Sequence, residues 1–69
     1  MTDYGVIYER ADDGSWSARA ADLPVYAAGG SREEAEREIR AALALYLEEL
    51  AGAGHAPPDP HSVVGVVSL

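Results

Sequence analysis

The 69 residues include no cysteine and no lysine. Without cysteine there can be no disulfide, no thiolate zinc site and no thiol nucleophile, and a reducing compartment fits. Without lysine the cations are five arginines against twelve acidic residues, a formal net charge of -7. That balance argues against direct nucleic-acid binding, because proteins draw most of that affinity from cations that neutralise phosphates. The same field attracts and steers a basic protein. Also missing are a basic, then apolar, leader behind Met1-Thr2-Asp3 and any apolar run long enough to span a bilayer, the stretch 62–69 being far too short. The expectation is a soluble cytoplasmic protein with no membrane role, and one domain over residues 1–69 with a thin core.

Catalytic patterns are equally sparse. No G-x-S-x-G elbow surrounds any serine, and Gly29-Gly30-Ser31 lacks the lysine and the remaining residues of a phosphate-binding loop. Asp12 and Asp13 fall at a turn, where acids are favoured by local hydrogen bonding. His55 and His61 flank a proline-rich connector with no cysteine or positioned carboxylate beside them in sequence. The reading is therefore no enzyme, no cofactor and no metal.

What is present is clear secondary-structure punctuation. Residues 4–9 (YGVIYE) are rich in aromatic and β-branched side chains and predict a strand; Asp12-Asp13-Gly14 predicts a hairpin turn with glycine at positive φ. Trp16, Ala18 and Ala20 alternate with Ser15, Ser17 and Arg19, giving a second strand with one apolar face. Asp22-Leu23-Pro24 breaks the hairpin, since proline cannot donate to a ladder, and residues 25–28 predict a short third strand.

A helix follows over residues 32–51. Ser31 with Glu34 forms a capping box, Gly52 or Gly54 ends the helix, and Ala35, Ile39, Ala42, Leu43, Tyr46, Leu47 and Leu50 mark one apolar face. Glu33 with Arg37 and Glu36 with Arg40 are favourable i,i+4 pairs. After the connector 56–60 (APPDP), the β-branched run 62–68 (SVVGVVS) predicts a last strand. The expected fold is α+β, in the order β-β-β-α-β, a small mostly antiparallel sheet with one helix on one face. Leu45 falls off the apolar face, and the final strand is apolar on both sides. Both point to a homo-oligomer, a dimer or tetramer, in which edge strands or helix ends pair. The candidate interface residues are Tyr26, Leu45, Glu48, Glu49, Val64 and Val66.

Taken in order, Tyr4-Gly5-Val6-Ile7-Tyr8, Gly14-Ser15-Trp16-Ser17-Ala18, Asp22-Leu23-Pro24, a Gly-Ser step and Glu33-Glu34-Ala35 opening the Ile39/Ala42/Leu43/Leu47 helix resemble the N-terminal domain of HicB-type antitoxins. The resemblance covers residues 4–60. It implies a truncated ribonuclease H-like sheet with one packed helix that docks a small basic HicA-like mRNA ribonuclease and occludes it, as antitoxin of a type II toxin-antitoxin system. The chain departs from the family in having Val25-Tyr26 after Pro24, where Gly-Cys is common. The sequence also stops at Leu69, where family members continue into a DNA-binding domain, so autoregulation by this chain alone is not expected. Ribonuclease H-like catalysis would need convergent carboxylates on two metal ions, one of them in the middle of the first strand; Val6 and Ile7 stand there instead. The alternative is a stand-alone homo-oligomeric structural or regulatory protein with no toxin partner.

Overall fold

The computed structural model describes residues 2–69. Three strands, β1 (Val6–Arg10), β2 (Trp16–Ala20) and β3 (Tyr26–Gly29), precede one helix, α1 (Arg32–Gly52). The strands form an antiparallel meander in the order β1-β2-β3, with α1 packed on one face. The α+β architecture expected from the pattern is present.

The β1–β2 connection shows why Asp-Asp-Gly was needed. The Gly14 N–H donates to the Ala11 carbonyl at 3.0 Å, and Gly14 then takes φ 89°, which lets the chain re-enter the ladder through the Ala11 N–H to Ser15 carbonyl bond of 2.8 Å. Asp13 Oδ1 accepts from both the N–H and the hydroxyl of Ser15, at 2.9 and 2.6 Å. These bonds, the hydroxyl first, hold the Asp13 carboxyl below its usual pKa.

Pairing of Tyr8 with Ala18 and of Ala18 with Ala27 sets the faces. Val6, Tyr8, Trp16, Ala18, Ala20 and Ala27 point toward the helix, whereas Ile7, Glu9, Ser17, Arg19, Tyr26 and Ala28 form the open face. Glu9 and Arg19 make an ion pair across that open face at 3.5 Å. Among the described residues the core comprises Ala18, Ala20, Leu23, Val25, Ala35 and Ile39, and Ile39, 2% exposed, is its one large fully buried side chain.

At the start of α1, Ser31 Oγ accepts from the Glu34 N–H at 3.1 Å as expected. The Glu34 carboxylate, however, reaches back to the Gly30 N–H at 3.1 Å, one residue before the cap. The helix ends in a Schellman motif: His55 N–H donates to the Leu50 carbonyl at 2.9 Å, Gly54 N–H to Ala51 at 3.1 Å, and Gly54 takes φ 82°. Gly54 is thus the terminating glycine, and Gly52 is the last helical residue. Of the two expected i,i+4 pairs, Glu36–Arg40 closes, at 3.2 Å.

Three expectations need correction. The opening strand runs over Val6–Arg10 and not residues 4–9. The third strand lies one residue later than predicted, because Val25 caps the turn: its N–H donates to Leu23 and its carbonyl accepts from Ala20. The predicted final strand is absent: residues 62–68 carry no regular secondary structure, so the order among the described residues is β-β-β-α. β-propensity expresses packing of branched side chains against neighbouring strands, and no such neighbour is supplied here. Val63, Val66 and Val67 are almost wholly exposed.

A candidate protein-binding helix face, an open groove and an anchored tail

The helix is longer than the sheet that carries it. Twenty-one helical residues rise about 31 Å at ~1.5 Å each, whereas a five-residue strand spans only about 17 Å. The first turns of α1 bury Ala35 and Ile39 over β3 and β2, Leu43 and Tyr46 pack half-buried against that core, and Leu47 and Leu50 lie half-buried toward the longer C-terminal end. On the outer side of the helix Leu45 is 57% exposed. Glu38, Glu48 and Glu49, seven residues before and three and four after it, share its face and are exposed. The last turn carries no basic residue. An apolar anchor bordered by exposed carboxylates that form no ion pair among the described residues is a surface suited to a cationic group.

The six residues expected at an interface do not form one site. Leu45, Glu48 and Glu49 share the helix face. Tyr26 lies on the open face of edge strand β3, 81% exposed and paired in register with Arg19. Val64 and Val66 belong to the irregular C-terminal segment.

Because α1 lies over β3 and β2, the helix-facing side of β1 is only partly covered. A groove of about 480 Å³ opens between Tyr4, Val6 and Tyr8 on one wall and Ile39 and Leu43 on the other, with the Glu36–Arg40 pair at its rim. Arg32 sits over the Tyr8 ring at 4.8 Å from the centroid, a cation–π arrangement that steadies the neighbouring end of that wall.

The C-terminal segment is tied down by a residue that sequence reasoning treated only as a turn. The Asp22 carboxylate, its side chain 4% exposed, accepts from the His61 and Ser62 N–H groups at 3.0 and 3.1 Å and from the Ser62 hydroxyl. His61 Nε2 lies 3.2 Å from the same carboxylate. The Ser62 hydroxyl, then its N–H, the His61 N–H and the His61 charge, hold the Asp22 carboxyl below its usual pKa against the opposing effect of desolvation. Tyr4 adds a second clasp, its hydroxyl donating to the Pro58 carbonyl at 2.8 Å. These partners are 39 to 54 residues apart, so no local pattern could have disclosed them.

Serine, histidine and aspartate thus meet at this point, but not as a nucleophilic triad. In a triad the serine hydroxyl donates to the imidazole and the imidazole to the carboxylate. Here the hydroxyl and the imidazole both converge on the carboxylate, an arrangement that anchors backbone. His55 lies apart, exposed, with its N–H in the helix C-cap. Asp12 and Asp13 stay in the hairpin turn, and no group of three or more His, Asp or Glu side chains among the described residues could hold a metal ion. No helix among these residues is long and apolar enough to cross a membrane.

No protein-family model, no curated protein and no solved structure matches this chain.

Proposed function

We propose that this chain is a protein-binding module, without catalytic activity or cofactor of its own, that receives a small basic protein on the outer face of α1. The observation that carries this reading is the exposed Leu45 ringed by Glu38, Glu48 and Glu49 on a chain of net charge -7. The apolar centre provides a side chain that a partner can desolvate, and the carboxylates speed encounter with a cation and disfavour nucleic acid. The ordered resemblance of residues 4–60 to HicB-type antitoxins supports a HicA-like mRNA ribonuclease as the partner, neutralised by docking and occlusion in the cytoplasm.

The test is co-expression with the product of the adjacent open reading frame, followed by pull-down and titration of the purified pair. A basic protein should copurify. Raising NaCl from about 50 to about 300 mM should weaken the complex, because screening shortens the reach of the surface field. Glu48→Arg combined with Glu49→Arg should weaken it at least about tenfold while leaving the circular dichroism of the chain unchanged. A complex insensitive to both salt and charge reversal, or no complex with any basic chain, would refute the reading. The stand-alone homo-oligomer is favoured by one observation of its own, the uncovered valines of the C-terminal segment.

A further inference from the structure

We propose that residues 63–67 of one copy add as a strand to the free outer edge of β1 in a second copy. Among the described residues β1 is an edge strand, paired only with β2. An edge presents unpaired N–H and C=O groups to any chain that can lie extended beside it. The groove beside it exposes Tyr4, Val6 and Tyr8 on the helix side, and Ile7 is half-buried on the other. A strand laid there would cover both.

The VVGVV segment has the length and chemistry for this place. Its five residues equal the five of β1. Alternation puts Val64 and Val66 on one face and Val63 and Val67 on the other, so each face meets apolar side chains. The segment also lies outside its own ladder. Asp22 pins residues 61 and 62, and Ser62 O and a Val64 methyl come within 3.6 Å of where a Cβ on Gly5 would sit, at the very start of β1. Beyond Val64 the chain forms no strand and is bare, with Val66 92% and Val67 83% exposed. It is thereby held at residues 58, 61 and 62 and presented outward beyond them.

Charge selects the second copy as occupant. Two chains of net charge -7 repel, so they can meet only where charge is absent or balanced. Residues 62–69 contain no ionisable side chain, and along β1 Glu9 is offset by Arg19 and accompanied by Arg10. The other exposed apolar residue of α1, Leu45, lies among carboxylates and would set like charges against each other. A reciprocal exchange related by a two-fold axis closes both tails and both edges and stops at the dimer.

The inference does not depend on the basic partner proposed above, and its test uses the chain alone. Sedimentation velocity over a concentration series should show a monomer–dimer equilibrium. Val66→Pro with Val67→Pro removes a ladder N–H in either register and should raise the dimer dissociation constant at least about tenfold, with unchanged circular dichroism because both residues are exposed. The absence of native cysteine allows a single spin label at Ser68→Cys. Mixing this spin-labelled but isotopically unlabelled chain with ¹⁵N-labelled parent should broaden the amide signals of Ile7, Tyr8 and Glu9. A monomer at every concentration, a dimer indifferent to the two prolines, or broadening seen only when label and amides share one chain would overturn the proposal.

Discussion

Gly29→Ala is the sharpest test of how the helix is seated on the sheet. A Cβ added at Gly29 would fall 2.7 Å from the Ala35 amide nitrogen, 2.9 Å from Glu34 Cβ and 3.0 Å from the Glu34 carbonyl carbon. All three belong to the first turn of α1, two of them to its backbone, so no flexible side chain can swing aside. The Ala35 N–H is moreover the donor of the 3.0 Å bond to the Ser31 carbonyl that opens the helix. Relief requires lifting this turn off β3, which would loosen Ala35 and Ile39 in the core. Overpacking of this kind costs about 1–3 kcal/mol, and the reduced freedom of the unfolded chain returns about 0.4–1 kcal/mol. The net loss is roughly 1–2 kcal/mol against a total stability of roughly 3–10 kcal/mol for a chain this size. The midpoint of thermal unfolding should fall by about 4–16 °C. Gly52→Ala is the matched control: that position is helical, with open space around the added methyl, and should gain about 0.5–1 kcal/mol. Thermal and urea unfolding followed by circular dichroism would read both. If Gly29→Ala melts at or above the parent while Gly52→Ala is stabilised, the close approach of β3 and α1 does not exist as described.

Ile39→Ala removes the only large side chain that is fully buried among the described residues and should cost about 2–5 kcal/mol, enough to leave much of the chain unfolded at 37 °C; a cooperative melt within a few degrees of the parent would contradict the core assignment. Leu45→Asp should change the unfolding free energy by no more than about 0.5 kcal/mol, as expected for a surface site, while abolishing capture of the basic partner. A large loss of stability would place Leu45 in the core instead. Asp22→Ala should release the C-terminal segment, seen as lost hydrogen-exchange protection of the His61 and Ser62 amides at neutral pH with the sheet amides unchanged. The carboxyls of Asp13 and Asp22 sit below the ordinary value of 3.8 in the folded chain. Their contribution is therefore fully present above that value and lost as pH falls through the lower folded values. Unfolding measured from pH 7 downward should show this loss only below about pH 4, and Asp22→Ala should remove part of it; a loss centred near neutrality would contradict the assignment.

The residues that resisted sequence reasoning share a physical cause. Ser31, Glu34, Asp13, Gly14 and Gly54 act on partners within five positions, so the cap and the turn were legible, while the choice of Gly54 over Gly52, the Ser15 partner of Asp13 and the reach of the Glu34 carboxylate to the Gly30 N–H were not. The valines of residues 63–67 carry strong β-propensity, but propensity says what a residue packs well beside and cannot supply the neighbour. Asp22 reads as a turn residue because its partners lie some 40 positions away. Similarly, Leu43 and Tyr46 belong to an apolar stripe that is plain in the sequence, yet they pack only half-buried against the core, and at Leu43 this follows from α1 lying over β3 and β2 and leaving a groove along β1.

The order of residues alone was sufficient to determine the hairpin, the capped helix, the alternating faces and the acidic surface, because each arises from backbone preference, side-chain period or charge that acts over a few residues. Only the tertiary structure decided that α1 lies over β3 and β2, opening a groove along β1, that Gly29 yields room for the first helical turn, and that Asp22 clasps the C-terminal segment and leaves its valines bare. Those outcomes depend on which distant surfaces come into contact, and steric fit among them is a property of the assembled chain.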